Sequence, residues 1–125
     1  MTAHSLAKTA YAANKTPIRT SRGTEYDAFA HVTHRLKSAE ARGPAGFADV
    51  AQALHANRRL WTMLAADVAE DGNGLPRDLR ARIFYLAEFT VQHSRKVLRG
   101  EDSAEALVEI NTAIMRGLRA RGEVA

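Results

Sequence analysis

An all-α fold, a compact bundle of about four helices preceded by a flexible basic tail, is what this sequence predicts, and three observations predict it. No run of strand length alternates apolar and polar residues. Four stretches instead repeat their apolar residues at three-four spacing, which lines them up on one face of a helix. Between those stretches stand helix-breaking segments, Arg42-Gly43-Pro44, Gly72-Asn73-Gly74-Leu75-Pro76 and Gly100.

The first helix is expected to start at Thr24 as N-cap, with Glu25 and Asp27 in the first turn where the helix dipole favours acids. Its inner face is Tyr26, Phe29, Val32 and Leu36, and Gly43-Pro44 ends it. The second runs from about Phe47 to Ala69, with a stripe of Phe47, Val50, Leu54, Trp61, Leu64 and Val68. Asn57 alone breaks that stripe, and a polar residue in an apolar seam costs stability while fixing register or partner. Leu75-Pro76 opens the third helix, with the proline expected in the first turn, where its missing donor is harmless. Its stripe is Leu79, Ile83, Leu86, Thr90, His93 and Val97, widened by Tyr85 and Phe89, and Gly100 closes it. Asp102 with Glu105 reads as a capping box for the fourth helix, whose stripe is Leu107, Ile110, Ile114 and Leu118 and whose end is placed at Gly122. Short connections favour an up-and-down arrangement. The core is assigned to Phe29, Leu54, Trp61, Leu64, Ile83, Leu86, Ile110 and Ile114.

Two segments follow from composition: a flexible tail over 1–23 and a helical domain over 24–125. The tail is rich in Thr, Ser, Ala and Lys, with Tyr11 and Ile18 as its sizeable apolar anchors, too few to repay the entropy of ordering without a surface to fold against. It also holds the whole charge excess. Lys8, Lys15, Arg19 and Arg22 stand there with no acid, which accounts for the net +4 of the chain, so the rest is balanced. A neutral body argues against a nucleic-acid groove. With no cysteine, disulfide staples are excluded, and the domain must hold itself together by burial. There is no run of eighteen apolar residues and no apolar core of a secretory signal, so no membrane insertion and a cytoplasmic location are expected.

Catalytic and metal-binding patterns are weak. His31 and His34 lie three apart on the first helix without a third ligand nearby, which reads as a solvated pair. His93 falls on an apolar stripe, as a hydrogen-bonded core histidine does. Asp71-Gly72-Asn73 starts like a calcium loop, but Leu75 and Pro76 occupy the next ligand and glycine positions. Gly72-Asn73-Gly74 has neither a Walker lysine nor a preceding strand. With no serine elbow and no cysteine nucleophile, the chain reads as a non-enzyme with no metal and no cofactor.

The blocks Asn57-Arg58-Arg59-Leu60-Trp61 and Gly72-Asn73-Gly74-Leu75-Pro76, with Leu79-Arg80, resemble the flagellar biosynthesis regulator FlaF family of alphaproteobacteria. Weaker matches extend this over most of the body: Thr24-Glu25-Tyr26, Phe29-Ala30, Thr33, Arg35-Leu36, Ile110-Asn111, Ile114-Met115 and Gly117-Leu118. In the tail, Tyr11 and the surroundings of Pro17 are similar to the family's amino-terminal pattern, while the spacing of Ile18-Arg19-Thr20-Ser21-Arg22 departs from it. The resemblance implies a cytoplasmic flagellin-binding chaperone that promotes flagellin production and export together with the regulator FlbT. A terminal, amphipathic helix of flagellin is then the expected ligand, held on apolar surface left beside the main stripes. The candidate partner-binding residues are Asn57, Arg58, Arg59, Leu60, Met63, Tyr85, Phe89, Asn111 and Met115. The alternative is a post-transcriptional regulator that contacts flagellin messenger RNA; direct RNA binding is not expected, because a neutral body poor in exposed aromatics offers no stacking platform.

Overall fold

A computed structural model describes the backbone of residues 21–70, 72 and 74–124, and the side chains of residues 25–70, 72 and 74–117. The protein is all-helical: α1 (Ser21–Ala41), α2 (Phe47–Ala69), α3 (Arg77–Leu98) and α4 (Glu105–Val124), with a short 3-10 turn at Gly43–Gly46 between the first two. Residues 1–20 of the expected tail lie outside the described residues.

Helix α2 has the expected bounds; the other three correct the sequence reading at their ends. Helix α1 is already helical at Ser21, so Thr24 sits inside it rather than at its N-cap, and 21–23 belong to the helix rather than to the tail. Nothing before Thr24 forbids helical geometry, and a single interior glycine, Gly23, costs only about 1 kcal/mol. Pro76 is the N-cap of α3, one position before the first turn. Gly100, with φ +74°, closes the α3 end in a left-handed conformation that suits glycine. The Asp102–Glu105 capping box does not form. Asp102 instead accepts from its neighbour's Ser103 N–H at 2.8 Å, and the Ser103 hydroxyl accepts from the Glu105 N–H at 3.3 Å. A further donor at this helix start, the Ala104 N–H, is met by the Glu40 carboxylate of α1. Helix α4 then continues through Gly122 to Val124, past its expected end.

Successive helices run up and down. Glu40 reaches Ala104 and Thr33 reaches Asn111, so α1 and α4 are antiparallel as well. Helix α1 packs along both α2 and α4, and α2 packs along α3. In the turn between α1 and α2, a Cβ on Gly46 would sit 2.0 Å from the Ala39 carbonyl oxygen, so only glycine fits there. Arg42 and Asp49 form an exposed ion pair across the same turn. The fourth side of the ring is different: α3 and α4 are consecutive yet share little packing.

Burial falls into two clusters. At the end near the α1–α2 and α3–α4 turns, Val32, Leu36, Ala39, Val50, Ala53, Leu54, Val97, Ala104 and Leu107 from all four helices are buried together. Toward the other end, the buried set is Phe29, Trp61, Leu64, Val68 and Ile83, from α1, α2 and α3 alone. Phe29 meets Trp61 edge to face at 5.6 Å, the arrangement aromatic quadrupoles favour. Leu60 packs against both clusters. Phe47, assigned to the inner stripe of α2, is the first residue of that helix and is 52 % exposed.

Candidate functional site: an open apolar side between α3 and α4

Trp61 is the natural starting point. Its indole N–H donates to Asn111 Oδ1 at 2.9 Å, and the Asn111 amide donates to Asn57 Oδ1 at 2.7 Å and to Thr33 Oγ1 at 3.0 Å. The Thr33 hydroxyl in turn points at the Met115 sulfur, 4.0 Å away. One amide thus ties α1, α2 and α4 together beside the tryptophan. Asn57 and Asn111 are both 0 % exposed, so the expectation that they contact a partner is corrected: both are structural. Pairing offsets the burial of the Asn111 amide and of Asn57 Oδ1, since a buried polar group left unpaired costs roughly 1–3 kcal/mol. The sequence reading of Asn57 as a register-setting polar residue in an apolar seam finds its mate in Asn111.

Around this network the second cluster is incompletely covered. Leu75, Leu79, Leu86 and Ala87 from the α3 side, and Ile110, Ile114 and Met115 from α4, pack against it while remaining half-buried. Leu86, Ile110 and Ile114, assigned to the core, therefore sit at its rim, whereas Phe29, Leu54, Trp61, Leu64 and Ile83 are fully inside. In the first cluster α4 supplies the buried Leu107; in the second it supplies only half-buried side chains. The cause is the sparse packing between α3 and α4, which are tied at their connected ends, where His93 Nε2 donates to the Ser103 carbonyl at 2.9 Å. His93 is buried and stacks on Phe89 at 5.3 Å, a hydrogen-bonded core histidine.

The remaining candidates divide. Phe89 and Leu60 are half-buried, and Met115 is half-buried with Thr33 on its sulfur. Tyr85 is 69 % exposed and so stands off the stripe it was expected to widen; Met63 is exposed on α2, Arg58 is half-buried and Arg59 exposed. The sequence reading missed Gly117. It lies inside α4, three and seven residues after Ile114 and Ile110, hence on their side of the helix. A Cβ built there meets nothing within 4 Å, so no neighbour among the described residues requires a glycine. A glycine in mid-helix without a local reason is the signal that could have found it.

His31 and His34 are exposed, and no group of three metal-ligating side chains gathers among the described residues. Asp71 and Asn73 of the loop resembling a calcium site lie outside the described residues. No helix among the described residues is long and apolar enough to cross a membrane.

Fold and site together define a small up-and-down helical bundle whose distinguishing surface is apolar and lies between two loosely packed helices. The model of one family, flagellar protein FlaF, matches residues 7–118. The chain belongs to the FlaF family and is a flagellar protein. No curated protein and no solved structure matches it.

Proposed function

We propose that this protein is a flagellin chaperone of the cytoplasm that holds a terminal helix of flagellin on the open side between α3 and α4, and that it promotes flagellin production and export together with FlbT. The observation that carries the reading is the half-buried rim of Leu79, Leu86, Ile110, Ile114 and Met115 around the Trp61 cluster. Such a rim gains by further burial, at about 25 cal/mol per Å² of apolar surface removed from water. An amphipathic helix is the natural occupant of a trough between two helices, because its apolar stripe matches the trough in width and length. Flagellin termini form such helices and would self-assemble if left uncovered. Nothing in this reading calls for catalysis: the surface is apolar, and binding is its whole chemistry.

The variant that tests it is Gly117→Leu. Its side chain enters space that no described residue fills, so the fold should stay intact and α4 should gain helix propensity, while the trough is blocked. We expect an unchanged helical signal, a melting temperature equal or higher, and loss of flagellin from pull-downs of motile cells, with loss of flagellin secretion and motility. Retention of full flagellin binding by a folded Gly117→Leu protein would remove the α3–α4 side as the docking surface. Capture that disappears on nuclease treatment would favour the messenger RNA reading instead.

A further inference from the structure

We propose that the flank of α3 turned away from α4 is a self-association surface, on which a second copy of this chain lays its own α3 antiparallel, with Val91 on the two-fold axis. This flank lies across α3 from the open side assigned to flagellin, so the inference stands independently of the chaperone reading.

Helical geometry locates the flank. Ile83, Thr90 and Val97 mark the buried stripe of α3. Leu86 and His93 each come three residues after a member of that stripe, a rotation of about 60° to one side. That side faces α4, because His93 reaches the Ser103 carbonyl just before α4 begins. Phe84, Val91 and Leu98 each follow a member of the stripe by one residue, a rotation of about 100° the other way. They therefore stand on the side of α2, the helix along which α3 packs. Phe84 is 45 % and Leu98 40 % exposed, and Val91 is half-buried between them. A single exposed apolar side chain is ordinary, but three in line at seven-residue spacing form a seam of the kind another helix covers. Phe47 adds exposed apolar surface at the Leu98 end, since it comes one turn before Val50, which shares a buried cluster with Val97.

The order of residues along the seam identifies the occupant. A two-fold interface has to be complementary to itself. Phe84 and Leu98 stand seven residues before and after Val91, and the exposed Glu88 and Arg95 stand three before and four after it, together on the outer edge of the same flank. A second α3 laid parallel would set Glu88 against Glu88 and Arg95 against Arg95. Laid antiparallel about Val91, it sets Phe84 against Leu98 of the other copy and Glu88 against its Arg95, and the same two pairs recur across the axis. The opposite charges fix direction and register, while covering the apolar side chains supplies the affinity. The opposed helix dipoles favour the same direction. From Phe84 to Leu98 the seam spans about 21 Å. One helix pair of that length belongs at the low end of interface sizes, so the dimer is reversible and forms in the micromolar range.

Sedimentation velocity of the full chain, from low to hundreds of micromolar, tests this with wild type, Arg95→Glu, Glu88→Arg and an equimolar mixture of the two variants. Both substitutions are at exposed positions, so the helical signal should not change. We expect wild type to pass from monomer to dimer across the series, and each variant alone to associate at least tenfold more weakly, because like charges then meet. In the mixture both cross pairs are again opposite in sign, and a heterodimer at least as tight as the wild-type dimer is expected. The chain has no cysteine, so Val91→Cys places a single thiol on the axis. Oxidation should give a disulfide-linked dimer at least tenfold faster than with Met63→Cys, an exposed position on α2. A wild-type protein that is monomeric throughout the series would overturn the proposal. Two single variants that stay apart when mixed would also overturn it, as would Val91→Cys crosslinking no faster than Met63→Cys.

Discussion

Trp61 shows how one side chain serves both burial and register. Its ring fills the second cluster against Phe29, and its N–H holds Asn111 in the orientation that lets the amide reach Asn57 and Thr33. Trp61→Ala therefore removes a large buried aromatic and at once leaves the Asn111 carbonyl oxygen unpaired. The expected loss is about 3–5 kcal/mol, read as a shift in denaturant midpoint, with every binding activity reduced through the fold. A melting transition left unchanged by Trp61→Ala would contradict the buried role. The network is not fully satisfied: Asn57 Nδ2 is buried without a hydrogen-bond partner among the described residues. From sequence, Asn57 was recognisable as an exception in an apolar stripe, but its mate was not. Asn111 is 54 positions away, and no local pattern distinguishes a buried amide that pairs with another helix from an exposed one that meets a partner protein.

Element boundaries were legible where backbone chemistry punctuates the chain. Gly43-Pro44 and the glycines of the α2–α3 turn delimit α2 to the residue, because each marks a place where the helix cannot comfortably continue. The start of α1 carries no such mark, and a Thr followed by acids imitates an N-cap that the helix passes through. The start of α4 shows a different limit. Its local residues suggest a capping box, yet the Ala104 N–H is met by Glu40 from another helix, a long-range contact that sequence spacing does not contain. A half-buried carboxylate accepting from a helix's amino-terminal N–H is both a cap and a favourable charge for the dipole. Glu40→Ala is accordingly expected to cost about 1–2 kcal/mol and to increase amide exchange in the first turn of α4 more than elsewhere. Equal exchange throughout α4 in wild type and variant would show that Ser103 and Asp102 suffice to cap it.

At the scale of the whole molecule, the up-and-down order followed from four stripes and short connections, but the incomplete closure between α3 and α4 did not. Periodicity reports which face of a helix is apolar, not whether that face ends fully covered; Ile110 and Ile114 look like core residues in sequence and become a rim only because α3 lies apart from α4. Charge is the other whole-molecule property, and it bears on the choice between protein and RNA as partner. The +4 excess is confined to Lys8, Lys15, Arg19 and Arg22, while the remainder of the chain is balanced. Phosphate contacts release counterions, so binding through four bases would give a slope of about −3 in log affinity against log salt and would fade at physiological ionic strength. The exposed aromatics are divided between helices, Phe47 at the start of α2 and Phe84 with Tyr85 on α3, rather than lined up as one stacking platform. A salt titration of fluorescent flagellin messenger leader with the purified protein is expected to show weak binding at low salt, lost when Lys8, Lys15, Arg19 and Arg22 are replaced by alanine, and none that is sequence-selective at physiological salt. Submicromolar, sequence-selective binding under those conditions would contradict the charge argument and make RNA, rather than an amphipathic protein helix, the ligand to which this bundle is built.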